Sequence, residues 1–362
     1  MKKIYKLTLI ITIMALIPVI YSSLFLGALE DPYGRLDTLP VAVVNTDQDA
    51  NPVYHRLIKA KIFDYKLESS TKAQKDLQNG DVYAVVRFDK DFKNKMQNFV
   101  RTSQSPKIQL TTSEGLSYST TKMVRSAIEQ FTDRVNHANS QLMIVQLQAR
   151  HIPLPANISS VIQLKNNDIH PVKNNGEAMT PYILSLTLFV GGIFVNQFVM
   201  RKFAKKGDDL PVYWMKQFLL PLFISVCQVG LLLLFNQLFI HISIDKFWGA
   251  VPFLLLVAAT FCSIIVAFNK LIPGIGSLIV LLLTMLQTSS SGGAYTIALS
   301  APFFQTIHQF LPMTYSVAGL RKLISLNTYN VWPEVGILLL FFIGGQIILL
   351  LAYHKHENRL FG

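Results

Sequence analysis

Cysteine, charge and nucleotide-binding signatures are what this 362-residue sequence has least of. Its two cysteines, Cys227 and Cys262, both stand inside apolar runs, so neither a disulfide framework nor a cysteine-ligated metal is expected. Charged residues make up 15% of the chain against 51% hydrophobic, which makes the bilayer its expected solvent. No Gly-x-x-x-x-Gly-Lys-Ser/Thr stretch occurs, which excludes a P-loop ATPase in this chain. The eight histidines are scattered, and the near-pair His354 and His356 has a spacing that suits a solvated chain end better than a metal site. The acidic pairs Asp47/Asp49 and Asp89/Asp91 read as a turn and a helix cap, not as acid/base or calcium groups. Asn157-Ile158-Ser159 matches a glycosylation acceptor but is too short to carry weight. With no catalytic constellation, the chain is not read as an enzyme, and neither cofactor nor metal is expected.

Charge is absent altogether from six long runs: Leu7–Leu29, Met179–Met200, Gln217–Ile240, Phe247–Phe268, Leu271–Thr288 and Val335–Tyr353. Each is long enough to cross about 30 Å of hydrocarbon as a helix. None keeps an ionisable residue of the kind that marks a proton or ion relay. The first run exceeds the ~7–15 residues of a signal-peptide core, and Leu26 stands where a small residue should precede a cut after Ala28, so it reads as a retained helix. Basic residues fix the direction. Lys2, Lys3 and Lys6, then Arg201, Lys202, Lys205 and Lys206, then Lys270, then Lys355 and Arg359 occupy alternate connections and the tail, which puts both termini in the cytoplasm. The net charge of +12 is concentrated there: residues 30–178 hold 19 basic and 16 acidic residues, and the remainder 14 and 5. That distribution points to anionic lipid and topology, not to nucleic acid.

The expected architecture is therefore a polytopic α-helical membrane protein: a first transmembrane helix in 1–29, an extracellular mixed α/β domain in 30–178, and a five-helix transmembrane domain in 179–362. In the α/β segment, Leu39–Val44, Val82–Phe88 and Lys107–Thr112 read as strands. Thr71–Gln78, capped by Ser70 or Thr71, and Lys90–Val100, capped by Asp89, read as helices. From Tyr118 to Ala149, Met123, Ile128, Phe131, Val135, Leu142, Val145 and Ala149 recur three or four apart, predicting a long amphipathic helix or two in sequence. Ile152–Lys173, with Pro153, Pro155 and Pro171, reads as a loop back to the membrane.

Inside the apolar runs, the uncharged polar residues Asn196, Gln197, Gln228, Asn236, Gln237, Gln287–Ser291 and Gln346 are expected to bond across helices or to line a polar track. The densest pattern lies near 289–321, where Ser289-Ser290-Ser291-Gly292-Gly293-Ala294-Tyr295 leads to Pro302-Phe303-Phe304-Gln305-Thr306-Ile307 and then to Leu311-Pro312-Met313-Thr314-Tyr315. Broken backbone at membrane depth needs cover from protein or a water-filled cavity, which predicts a re-entrant or interfacial half-helix pair. Gln287, Ser291, Gly292, Gly293, Tyr295, Gln305, Pro312 and Tyr315 are the candidate vestibule or helix-break residues. The alternative is a loop laid on the membrane surface as an aromatic anchor.

That closing segment, continuing through Ser316-Val317-Ala318-Gly319-Leu320-Arg321, resembles type-2 ABC exporter permeases, and specifically the YhgE/Pip membrane proteins. Asp31-Pro32-Tyr33-Gly34-Arg35 through Val43-Val44-Asn45-Thr46-Asp47 resembles the family's block after its first helix. Gly80-Asp81-Val82-Tyr83-Ala84-Val85-Val86 with Asp91-Phe92 is similar to its second. The chain departs from the family in lacking a long outer coiled region and in an N-terminus too short for an amphipathic elbow helix. The resemblance implies a membrane permease subunit, a homodimer or heterodimer, exporting an unidentified substrate with ATP hydrolysis supplied by a separate chain. Arg201, Lys202, Lys205, Lys206 and Lys270 are then the candidate cytoplasmic coupling residues. It equally implies a rival: a non-transporting surface scaffold or receptor whose outer domain binds a phage or a secretion-machine protein.

Overall fold

The computed structural model describes residues 19–20, 22–24, 26–46, 52–197, 209–242, 244 and 246–358. Most of the first apolar run, Asp47, Asp49, Arg201, Lys202, Lys205, Lys206 and Arg359 lie outside the described residues, as do the side chains of Lys355 and His356. The chain divides into two compact units, one of Asp31–Lys173 and one of Met1–Glu30 with Asn174–Gly362.

The first unit is built on a five-stranded sheet of order β2-β1-β3-β4-β5. Its strands are β1 (Pro40–Asn45), β2 (Asp64–Leu67), β3 (Ala84–Phe88), β4 (Lys107–Thr112) and β5 (Gln163–Asp168). β1 runs parallel to β2 and β3, β4 is antiparallel to β3, and β5 is parallel to β4. The apolar runs of β1 and β3 are buried on both faces, as central strands must be when helices cover the sheet. Four helices accompany the strands: α1 (Pro52–Ala60), α2 (Ser70–Asn79), α3 (Phe92–Thr102) and α4 (Tyr118–Ala149). Gly80 closes α2 at φ +85°, a left-handed C-cap that suits glycine.

Several expectations need correcting here. The predicted loop 152–173 contains β5, an edge strand of sequence QLKNND that is mostly exposed, so no apolar alternation announced it. The cap of α2 is Ser69, whose Oγ accepts from Lys72 N, and not Ser70 or Thr71. Asp91, not Asp89, occupies the N-cap of α3 and makes no side-chain cap bond; Asp89 pairs with Lys95 at 3.0 Å. Leu142, Val145 and Ala149, expected on the packed face of α4, are exposed, because the packed stripe thins toward that end.

α4 is tied to the sheet by polar contacts. Buried Asn136 brackets the backbone of Ile162, donating Nδ2 to its carbonyl at 2.9 Å and accepting its N–H at 2.8 Å. Arg125 donates to Glu114 and to Asp168 at 2.8 Å each and to Thr112 at 3.0 Å, joining α4 to the ends of β4 and β5. Beside this network Ser113 Oγ and His170 Nδ1 are 2.9 Å apart, and burial holds the His170 imidazole below its ordinary pKa.

In the second unit four helices are long and apolar enough to cross a membrane among the described residues: α5 (Asn175–Val195), α6 (Leu210–Ile240), α7 (Phe247–Leu271) and α11 (Trp332–Asn358). The fifth predicted span, Leu271–Thr288, is corrected to a shorter helix, α8 (Gly276–Ser290). Pro273 and Gly274, the latter at φ +90°, interrupt the run and delay the helix start to Gly276. After α8 come α9 (Pro302–Ile307) and α10 (Pro312–Ile324). α6 carries two π-helical segments, Met215–Leu219 and Asn236–Ile240, around a regular Leu220–Phe235.

α7 is the centre of this unit, its most apolar window 67% buried against 22% for α6 and for α11. Phe189 of α5 meets Phe261 of α7 edge-on at 5.1 Å, within a core that includes Val257, Val317 and Leu320. Polar side chains stitch the helices together as bilayer packing favours. Ser185 Oγ donates to Ser316 Oγ at 2.7 Å, Thr260 and Ser263 donate to the carbonyls of Leu338 and Phe342, and Gln197 donates to Ser277. Gln346 accepts from Trp214 Nε1 and donates to Ser263 Oγ, both at 2.8 Å.

Candidate helix break and vestibule

α8 ends where three serines give way to two glycines. Ser291 caps the helix, and Gly292 turns the chain at φ +69°, a left-handed conformation costly for any side chain. Gly293 is constrained differently. A Cβ there would overlap Cδ2 and Cγ of Tyr182 and lie 2.7 Å from Cε2. Tyr182 stands on α5, and its hydroxyl donates to the Thr288 carbonyl at 3.4 Å, so the α8 terminus and α5 are locked ring against backbone. The carbonyl of Gly292 accepts from Arg321 Nη2 at 2.9 Å.

The chain then restarts its helices at prolines. Pro302 opens α9 and Pro312 opens α10, each where a missing N–H costs nothing. Buried Gln287 supplies one tie between these pieces: its Oε1 accepts from Met313 N at 3.0 Å, one of the N-terminal amides of α10 that lack a helical acceptor. Gln305 donates Nε2 to the carbonyls of Ala298 and Ser300 at 3.0 and 2.9 Å, closing the loop ahead of α9. Tyr315 donates its hydroxyl to the Gln309 carbonyl at 2.7 Å.

Of the eight residues singled out from the sequence, Gly292, Gly293 and Tyr295 line one small cavity with Ala28, Leu29, Thr288, Ser289, Ala294 and Ser300. Its volume is about 20 Å³, room for one water molecule. Ser289, which lines it, has a buried hydroxyl with no bonding partner among the described residues, as do Ser290 and Ser291 and the Nε2 of Gln287 in the same stretch of chain. Gln287 and Pro312 meet through the Met313 amide, whereas Gln305 and Tyr315 secure their own loops. Of the candidate coupling residues only Lys270 is described, in the last turn of α7. Tyr182 and Arg321, which hold the break in place, were not singled out from the sequence. Both act across long separations, and only the glycine pair hinted that something large approaches. Among the described residues no three His, Cys, Asp or Glu side chains gather as a metal site would require.

Residues 6–352 match the protein-family model described as ABC-2 family transporter protein. Over 180 residues the chain is 29% identical to uncharacterized protein YhgE of Bacillus subtilis (strain 168), an alignment covering 49% of this chain and 23% of that protein. The chain thus spans about a quarter of the length of the curated relative it matches. No solved structure matches it. The match runs through both compact units and the helix break between α8 and α10. The chain belongs to the ABC-2 family of transporter proteins and is a multi-pass, YhgE-like membrane protein.

Proposed function

We propose that this chain is the permease subunit of a type-2 ABC exporter, working as a homodimer or heterodimer and moving its substrate outward. Six passes, the fifth made by the shorter α8, with both termini cytoplasmic carry residues 30–178 on the outer face. A separate ATPase docks on the basic stretch Arg201, Lys202, Lys205 and Lys206 together with Lys270. The observation that carries this reading is the family match across nearly the whole chain, joined to a sequence that holds no phosphate-binding loop of its own. Gln287, Ser291, Gly292, Gly293, Tyr295, Gln305, Pro312 and Tyr315 form the helix break that shapes the closed end of the pathway. Its buried, unpartnered serine hydroxyls favour this over a loop on the membrane surface, where water would satisfy them.

The test is copurification of the tagged protein in mild detergent with mass spectrometry, followed by reconstitution. A nucleotide-binding subunit should accompany the chain, and its ATPase activity should rise when the two are combined. Reproducible absence of such a subunit, with no stimulated hydrolysis, rejects the exporter reading.

A further inference from the structure

α4 carries an apolar seam that outruns the core of its own domain. Val124, Ile128, Phe131 and Val135 follow one another at steps of four, three and four residues, and all of them are buried. The alternation continues without a slip through Ala138, Leu142, Val145 and Ala149, and these are exposed, Leu142 at 62% and Val145 at 66%. The domain is held by the other side of the helix here: Ser140 and Leu147, both buried, lie about 180° round it from the exposed seam. This half of α4 is packed on one side and apolar on the other.

Two features say what covers the bare side. The first is its width. A helix face lying on a sheet or on lipid is a broad stripe, apolar at a flanking position as well, whereas this seam has the exposed Gln141, Gln146 and Gln148 along its flanks, the narrow form that fits one other helix. The second is charge. From Val135 to Ala149 there is no Asp, Glu, Lys or Arg. A helix lying on lipid would carry Lys or Arg beside its apolar face, and a charged partner would find nothing here to attract it. Glutamine both donates and accepts, so the rim is complementary to itself, as a two-fold contact requires. Because the helix is already folded against its own domain, pairing meets no nucleation cost.

Resting on the dimer of the permease reading above, we infer that the second half of α4 is a contact between two copies of this chain, seam against seam, outside the membrane-spanning unit.

The test uses the full-length chain with Cys227→Ser in cell membranes, oxidised to form disulfides, with Leu142→Cys and Val145→Cys expressed singly and together. Each cysteine should link to its own counterpart in a parallel pair, or Leu142→Cys to Val145→Cys in an antiparallel one. Either way linking should run about tenfold above His137→Cys and Arg150→Cys, exposed positions about 110° away round the helix. Gln141→Lys, Gln146→Lys and Gln148→Lys in both copies should reduce linking to that control level. A second copy carrying Gln141→Glu, Gln146→Glu and Gln148→Glu should restore it. Equal linking at seam and control positions overturns the inference, as does linking indifferent to the lysines. Absent linking overturns it too, and labelling of the seam by a photoreactive lipid would then identify a membrane-bound face. Mass photometry of the chain in nanodiscs keeps the two readings apart: a dimer whose seam stays unlinked removes this contact and leaves the permease dimer standing.

Discussion

Gly293→Ala is the smallest change that tests how the α8 break is held. The added methyl carbon collides with three carbons of the Tyr182 ring. That ring cannot simply swing away, since it is 9% exposed within the main helical core and its hydroxyl is bonded to Thr288. Overpacking of this kind costs about 1–3 kcal/mol, and a lost hydroxyl bond adds about 0.5–1.5 kcal/mol. In a unit of this size each kcal/mol lowers the thermal midpoint by about 2–4 °C, a shift readable by fluorescence-detected size-exclusion after heating in detergent. Removing the ring should relieve the collision. Tyr182→Ala alone costs about 3–5 kcal/mol as a large-to-small core change, and adding Gly293→Ala to it should cost little more. Gly292→Ala supplies the contrast. Its cost of about 1–2 kcal/mol comes from a positive φ, with no atom nearer than 3.6 Å, so Tyr182→Ala should not rescue it. If the costs of Gly293→Ala and Tyr182→Ala add to within about 0.5 kcal/mol, the ring does not hold this glycine and the reasoning fails.

Arg125→Met should destabilise fragment 31–173 by about 2–4 kcal/mol in urea unfolding, because Glu114 and Asp168 lose their shared partner; a change under 0.5 kcal/mol would contradict this. His170 has a folded-state pKa below its ordinary 6.5, so the unfolded chain binds the proton more readily. Its contribution to stability is therefore present above about pH 6.5 and lost as pH falls through that value toward the folded pKa. The urea midpoint of the fragment should drop between pH 7.5 and 5.5, and His170→Asn should flatten the drop. Cysteines placed at Thr71 and Asn166 should react with an impermeant maleimide on intact cells, and cysteines at Gly207 and Asn358 only after lysis. Labelling of Gly207 from outside would invert the proposed topology.

What was legible in the sequence followed burial. Val41–Val44 and Val85–Val86 are central-strand residues, dry on both faces, and their apolar runs announced them. The missed strands, β2 and β5, are the two edges of the sheet, where backbone pairing on one side suffices and side chains such as Asp64, Lys165 and Asn166 are exposed. Their sequences look like loops because at an edge little distinguishes the two in composition. The break after α8 was visible because serine and glycine runs inside an apolar stretch have few other uses. Its anchors were hidden, since Tyr182 and Arg321 reach it from 106 and 29 residues away in sequence. α8 starts later than its apolar run because Pro273 and Gly274 sit inside that run.

The two π segments of α6 have a mechanical meaning. Each widened turn accommodates more residues than an α-turn, so the helix carries slack in its winding near both ends. Trp214, held by Gln346 of α11, clamps the chain just before the first segment, whereas Asn236 bonds both backbone groups of Ile242 and so closes the second segment on its own chain. Between the two segments Leu220–Phe235 is a regular shaft. Moving one residue of slack from one π segment to the other would turn that shaft by about 100° relative to Trp214. A helix wound in this way can present a new face to its neighbours by rotating on its own axis, exchanging i→i+5 for i→i+4 backbone bonds as the slack moves.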